Sequence, residues 1–300
     1  MKRAEQNFMK DTSQPDKVVK EWYASHANTE WRRLNQQDPY RRIEFTITMH
    51  FLKKYLPKHG TILDAGGGPG RYSIELAKEG YSIVLLDLVP EMLETAKKKM
   101  RRAGVLRKVN QFVQGSIEDL SAFSDGSFDA VLCLGAPLNH LLEAKRREKA
   151  AEELVRVAKR NAPIFVSVIS RIGLLKTILA EFPNEMRYAK HHWEVGDYVP
   201  GLYGKGFTAA HWFLPEELRR LFERNVQVLE MAGLEGLSSH LQKQTNRLYK
   251  DREKWSMWAE ILLDTCTQPS AVGGAEHFLL VGKKKGQLHR YHVQRNKKYQ

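Results

Sequence analysis

Short apolar runs rich in β-branched and aromatic residues alternate along the chain with stretches of helical period. TILDA (61–65), YSIVLLD (81–87), NQFVQ (110–114), FDAVLCL (128–134) and PIFVSVIS (163–170) read as strands. Between them, RYSIELAKEG (71–80) sets Ile74, Leu76 and Ala77 on one face and stops at Gly80. PEMLETAKKKMRRAG (90–104) starts on Pro90 and stops at Gly104, and AKRREKAAEELVRVAKR (144–160) aligns Ala150, Leu154 and Val157. Strands that alternate with helices predict a parallel sheet covered on both faces.

The rhythm breaks after Ser170. Residues 171–212 are crowded with aromatic and histidine side chains (EMRYAKHHWEVGDYVPGLYGKGFTAAHW) and do not read as another βα unit. Alternation resumes with a helix at PEELRRLFERN, a strand at VQVLEMAG, one long helix around 240–265 and a last strand at EHFLLVGK. No internal repeat is present. The predicted plan is a tail and helical arm over 1–57, a doubly wound α/β domain over 58–283 with a cap inserted at about 171–212, and a basic tail over 284–300.

Composition narrows this only slightly. With 42% hydrophobic and 28% charged residues, the 300-residue chain has the make-up of a globular protein. No apolar run reaches the roughly 18 residues of a membrane span, and MKRAEQNFMKDTSQPDK lacks the apolar core of a secretory signal. Two cysteines exclude a disulfide scaffold or a four-cysteine zinc site, and a reducing cytoplasm is the expected address. The net charge of +13 points towards nucleic acid until its distribution is considered. Seven positive charges stand among residues 283–300 and another seven (Lys97, Lys98, Lys99, Arg101, Arg102, Arg107, Lys108) at one helix end and its loop. A solvated tail and helix end is the simpler expectation, and an RNA-contact patch the alternative.

ILDAGGGPGRY (62–72) carries the first chemical signal: a strand ending in aspartate, three glycines, Pro69 and Gly70. Such a turn lets a ligand approach backbone at the carboxyl edge of a sheet. The dinucleotide fingerprint G-x-G-x-x-G/A fails in both frames, because its last position falls on Arg71 or Ser73. The phosphate-binding P-loop fails for want of G-K-[ST].

Over roughly residues 40–170 the chain resembles the class I S-adenosylmethionine-dependent methyltransferases. Asp64 closes the first strand before Gly66-Gly67-Gly68-Pro69-Gly70, the E/D-x-G-x-G pattern of that family. Asp87 ends the second strand in LLDLVPEML, VQGSIEDL (113–120) is similar to the family's third-strand segment, and GSFDAVLCLGAPLNHL (126–141) to its fourth. The resemblance implies the seven-stranded, Rossmann-like methyltransferase fold and S-adenosylmethionine as cofactor. It implies that Asp87 accepts from the ribose hydroxyls, that Gly66, Gly67 and Gly68 admit the methionine portion, and that Asp64 meets its amino end. Leu88 and Met92 would flank the adenine with Ile117 opposite, and Leu134, after the fourth strand, would be a further cofactor-binding residue. Ser116 stands where relatives often carry aspartate towards the adenine amino group. In related small-molecule enzymes an arginine before the first strand meets the methionine carboxylate. DPYRRIEF offers Arg41 and Arg42 for this, Arg42 being the candidate taken forward, and Tyr23 in EWYASHA would close over the cofactor.

Methyl transfer from a sulfonium is an in-line displacement, so the protein mostly aligns the acceptor and excludes water, and needs a base only if the nucleophile arrives protonated. His140 lies just past the cofactor edge and is the candidate base, unless it only braces its loop. GAPLNH (135–140) is not the [D/N]-P-P-[Y/F] tetrad used on adenine or glutamine amides, and Cys133 inside its strand reads as core. The cap aromatics and histidines could hold a cationic acceptor, but His191, His192 and His211 lack metal-ligand spacing and no metal is expected. The expected activity is methylation of a small-molecule N, O or S acceptor. The alternatives are a methyltransferase for RNA or protein, and a non-catalytic cofactor-binding module.

Overall fold

The computed structural model describes residues 15–33, 38–204 and 206–286. Among the described residues two helices come first, α1 (Pro15–Arg33) and α2 (Pro39–Tyr55), the latter capped by Asp38, whose side chain accepts from Tyr40 N. The alternating region follows as β1 (Thr61–Ala65), α3 (Arg71–Lys78), β2 (Ser82–Asp87), α4 (Pro90–Arg102), β3 (Val109–Gln114), β4 (Ala130–Cys133), α5 (Ala144–Val157) and β5 (Pro163–Ile169). Next come α6 (Arg171–Glu181), a 3-10 turn over Pro183–Tyr188, α7 (Ala189–Glu194) and the short pair β6 (Asp197–Tyr198) and β7 (Ala210–His211). The chain then continues through α8 (Pro215–Glu223), β8 (Val226–Gly233), α9 (Gln242–Leu248), α10 (Arg252–Thr265), α11 (Pro269–Gly274) and β9 (His277–Lys284).

Seven strands form one sheet in the order β3-β2-β1-β4-β5-β9-β8, and only β9 runs antiparallel to its neighbours. This is the Rossmann-like methyltransferase fold. Adjacent residues of β1 point to opposite layers. Ile62 packs with Ile83, Leu132 and Phe165 beneath α2, α3, α4 and α10, whereas Leu63 packs with Val84, Val131 and Ile164 beneath α5 and α8. Burial on both faces is why the strands read as unbroken apolar runs. The sheet order reverses beside β1, which opens a crevice beyond the carboxyl ends of β1, β2 and β4.

Two expectations need correction. The long helix around 240–265 is two helices, because Asp251 turns out of the helical region and caps α10 by accepting from Lys254 N at 3.2 Å. Lys284 is not part of a solvated tail. Lys284 closes β9, and its Nζ donates to Arg156 O (3.0 Å) and Ala158 O (2.7 Å) at the end of α5. Lys285 Nζ donates to Glu223 O at the end of α8 (2.7 Å), so both cations meet helix carbonyls that lack intrahelical partners. The remaining basic positions from 287 onward lie outside the described residues.

Candidate active site

Beyond the carboxyl ends of β1, β2, β3 and β4 lies a cleft of about 1000 Å³, including the solvent at its mouth. It is lined by Gly66, Gly67, Gly68, Asp87, Leu88, Met92, Ser116, Ile117, Leu134 and His140, ten of the positions singled out from sequence. Asp64 lies directly behind the loop, wholly buried.

The loop after β1 is wired to the neighbouring strand. Gly66 N and Gly67 N both donate to Leu86 O (2.7 and 3.1 Å), Gly70 N donates to Gly67 O (3.0 Å), and Gly68 N donates to Asp87 Oδ2 (2.8 Å). Pro69 has no N–H. The loop therefore spends its donors internally, which leaves few for the oxygens of a pyrophosphate and suits a ligand without phosphates. Gly66 and Gly68 both take positive φ. Their side-chain directions differ: a Cβ on Gly68 would meet no atom within 4 Å, whereas one on Gly66 would run into the Pro137 ring. Only Gly68 thus presents its bare face to the cleft. Gly67 makes room for a carboxyl group, since a Cβ there would stand 2.6 Å from Asp64 Cγ.

Both aspartates are held against their charge. Burial pushes Asp64 up to about 6, against the pull of Ser73, whose hydroxyl donates to Oδ2 at 2.6 Å. Oδ1 of Asp64 is buried and has no hydrogen-bond partner among the described residues. Burial likewise lifts Asp87 to about 6, although Val89 N (2.9 Å, to Oδ1) and Gly68 N oppose the rise. Each Asp87 oxygen uses one lone pair on backbone and keeps another for a ligand hydroxyl.

Helix α1 roofs the cleft with Asp16, Val19, Tyr23, Glu30 and Arg33, a stripe at helical spacing. Three latches hold it. Arg146 grips Asp16 through both terminal nitrogens (2.9 Å each) and reaches Glu118 from Nε and Nη2. In the middle, Tyr23 and His140 meet at 2.8 Å. At the end, Arg33 donates to Glu44 at 2.6 Å and to Glu30 at 3.1 Å. Burial works against the Glu44 charge, yet Arg33 holds the group below its ordinary value. Behind Glu44 stand Glu235 and His277. Burial opposes the His277 charge as well, but Glu235 and Glu44 lift it to about 9, so this cluster holds a proton between carboxylates.

His140 is fixed from the segment before β7. Its Nδ1 faces Ala209 O at 2.9 Å, an acceptor only, so Nδ1 carries the hydrogen and Nε2 receives the Tyr23 hydroxyl. Burial lowers its affinity for a proton. Next to it, Asn139 donates to His211 O (2.6 Å) and Ile169 O (3.2 Å), tying the turn to β7 and β5. Burial lifts the Cys133 thiol to about 12, in keeping with a core residue.

Arg42 stands away from this cleft. On α2 it shares the outer face with Thr46 and donates to Tyr249 Oη at 2.9 Å, while Glu44 turns inward to Arg33. The arginines that line the cleft are Arg33, Arg71 and Arg146. Arg71 has a buried Nε with no hydrogen-bond partner among the described residues, and its guanidinium lies over Phe45 (4.8 Å) and Trp31 (5.3 Å). The α1 stripe was the signal for Arg33. For Arg71 it was the position itself, the first helical residue after the glycine loop.

Residues 62–161 match the family model described as a methyltransferase domain. The sheet order, the glycine loop, the two strand-end aspartates and this match identify a class I S-adenosylmethionine-dependent methyltransferase domain. Among curated proteins, the chain is similar to a glycine/sarcosine N-methyltransferase of Parasynechococcus marenigrum. The two are 35% identical over 113 residues, which is 37% of this chain and 39% of that one. A ubiquinone biosynthesis O-methyltransferase of Xanthomonas axonopodis is 30% identical over 149 residues, covering 50% of this chain and 59% of the relative. The matches thus span less than two thirds of either relative. A solved SAM-dependent methyltransferase from Methanosarcina mazei superposes with a TM-score of 0.55 at 22% identity, over 78% of this chain and 97% of that one, a likeness of fold. No helix among the described residues is long and apolar enough to cross a membrane.

Proposed function

We propose that the protein binds S-adenosylmethionine in the cleft and transfers its methyl group to the N, O or S atom of a small molecule enclosed beneath α1 and the cap. The observation that carries this reading is the loop's hydrogen bonding. Its N–H groups are used internally, Gly68 turns a bare face to the cleft, and the two Asp87 oxygens keep lone pairs for vicinal hydroxyls. Asp87 would hold the ribose, Leu88 and Met92 one side of the adenine, and Ile117 and Ser116 the other. Leu134 would close the pocket edge. Gly66 and Gly67 would shape the loop, and Asp64 would meet the amino end, in keeping with its unpartnered Oδ1. Arg71 takes the part first expected of Arg42, since its unpartnered Nε suits the methionine carboxylate. The cofactor supplies a methyl group activated by a sulfonium.

The chain's own residues supply the rest. The latched α1 excludes water and aligns the acceptor. His140 Nε2 is the proton acceptor, receiving the acceptor's proton directly or through the Tyr23 oxygen, with Nδ1–H held on Ala209 O. The relatives' activities, on an amino acid and on a quinone precursor pathway, agree with a small-molecule acceptor. Two buried free cysteines agree with a reducing, cytoplasmic location. Calorimetry with S-adenosylmethionine and its demethylated product, followed by labelled methyl transfer into a metabolite extract and into total RNA, tests the reading. Binding of both cofactor forms and label in small molecules are expected. Failure to bind either form, or label in RNA alone, defeats it.

A further inference from the structure

A second cleft of about 1080 Å³, open at its mouth, separates α2 from α10 and plays no part in the site above. Ile43, Ile47, Ala259 and Leu262 give it an apolar interior, and Trp255 and Tyr249 form an aromatic wall with ring centroids 4.9 Å apart. Arg42 and Arg252 stand at its lining. Among the described residues neither has a carboxylate partner. Arg42 donates to the Tyr249 hydroxyl; Asp251 is engaged by Lys254 Nζ at 2.6 Å and Asp38 by Arg41 at 3.5 Å, while Glu253 and Glu260 follow along α10. Lys243, Arg247 and Lys250 precede Arg252 along the chain and add to a positive approach.

Two unpaired guanidinium groups beside an apolar, aromatic-walled cleft ask for a ligand that is apolar at one end and anionic at the other. We propose that this cleft binds a small amphipathic monocarboxylate, its hydrocarbon body between Trp255 and Ile47 and its carboxylate on Arg42 and Arg252. The charge pattern selects against cationic and neutral amphiphiles of the same length.

The test uses the full chain with decanoate, decyltrimethylammonium and decanol, followed by calorimetry and tryptophan fluorescence. Decanoate should bind with a dissociation constant below about 1 mM, decanol at least about tenfold more weakly, and decyltrimethylammonium not measurably. Arg42→Gln with Arg252→Gln should weaken decanoate by about tenfold or more, the scale of a lost charge-assisted bond. Ala259→Phe, which fills the cleft from one wall, should abolish it. Indifference of decanoate to the arginine pair or to Ala259→Phe, equal binding of all three amphiphiles, or no binding of decanoate overturns the proposal. So does a dimer in sedimentation that Ala259→Phe dissociates, since the occupant would then be a second copy of the chain.

Discussion

Replacing Asp87 with asparagine separates what this carboxylate does for its ligand from what it does to the fold. Burial raises its carboxyl from the ordinary 3.8 to about 6, so ionisation there costs about 3 kcal/mol. The native carboxyl therefore holds its proton more tightly than the unfolded one. Between pH 4 and 6 the folded state binds more protons, and stability falls as pH rises through that window. About 2 kcal/mol of the cost should develop between about pH 4.5 and pH 7.5. The amide introduced by D87N cannot ionise and still accepts one of the two backbone N–H groups, from Gly68 or Val89. Losing the other bond costs about 1–3 kcal/mol at every pH. Urea melts of D87N and the wild type at the two pH values should thus show the difference shifting by about 2 kcal/mol in the variant's favour at the higher pH. At pH 7.5 the variant should bind S-adenosylmethionine about 30- to 150-fold more weakly, the loss of charged hydrogen bonds worth about 2–3 kcal/mol. A pH-independent stability difference would refute the buried-charge argument, and unchanged affinity would refute the ribose assignment.

The two outer glycines of the loop should fail differently: Gly68→Val should abolish cofactor binding yet keep a cooperative unfolding transition, while Gly66→Val, driven into Pro137, should lower the melting temperature by several degrees. Thermal melts beside calorimetry separate the two outcomes, and equal damage to stability in both would count against the geometry. Tyr23→Phe and His140→Gln should each lower kcat by about 10²-fold if the acceptor arrives protonated, with cofactor affinity within about threefold of wild type. A change confined to KM would make the pair a structural clasp instead.

Much of the framework was legible because both its signals are local. Strands such as Ile83–Leu86 are buried on both faces and announce themselves as unbroken apolar runs, and the loop residues sit at strand ends fixed by that same pattern. What escaped depended on contacts distant in sequence. Arg42 and Glu44 are two residues apart, and only the packing of α2 decides that Glu44 turns inward and Arg42 outward. Arg71 counted against a dinucleotide fingerprint, and its place in the cleft becomes visible only once Trp31 and Phe45 are folded beside it. The break at Asp251 was local, but it falls in the charged run 250–254, where no glycine or proline marks a stop.

The latches of α1 also have a temporal side. Asp16 waits for Arg146, 130 residues later, and Tyr23 for His140, 117 later, while the ring of Trp22 rests against Phe207. A ribosome has therefore released most of the sheet before the first helix can find its seat. Such non-local closures are slow relative to the local pairing of neighbouring βα units. Substitutions at the clasps should therefore act mainly on how fast α1 detaches, leaving the rate at which the sheet assembles nearly unchanged.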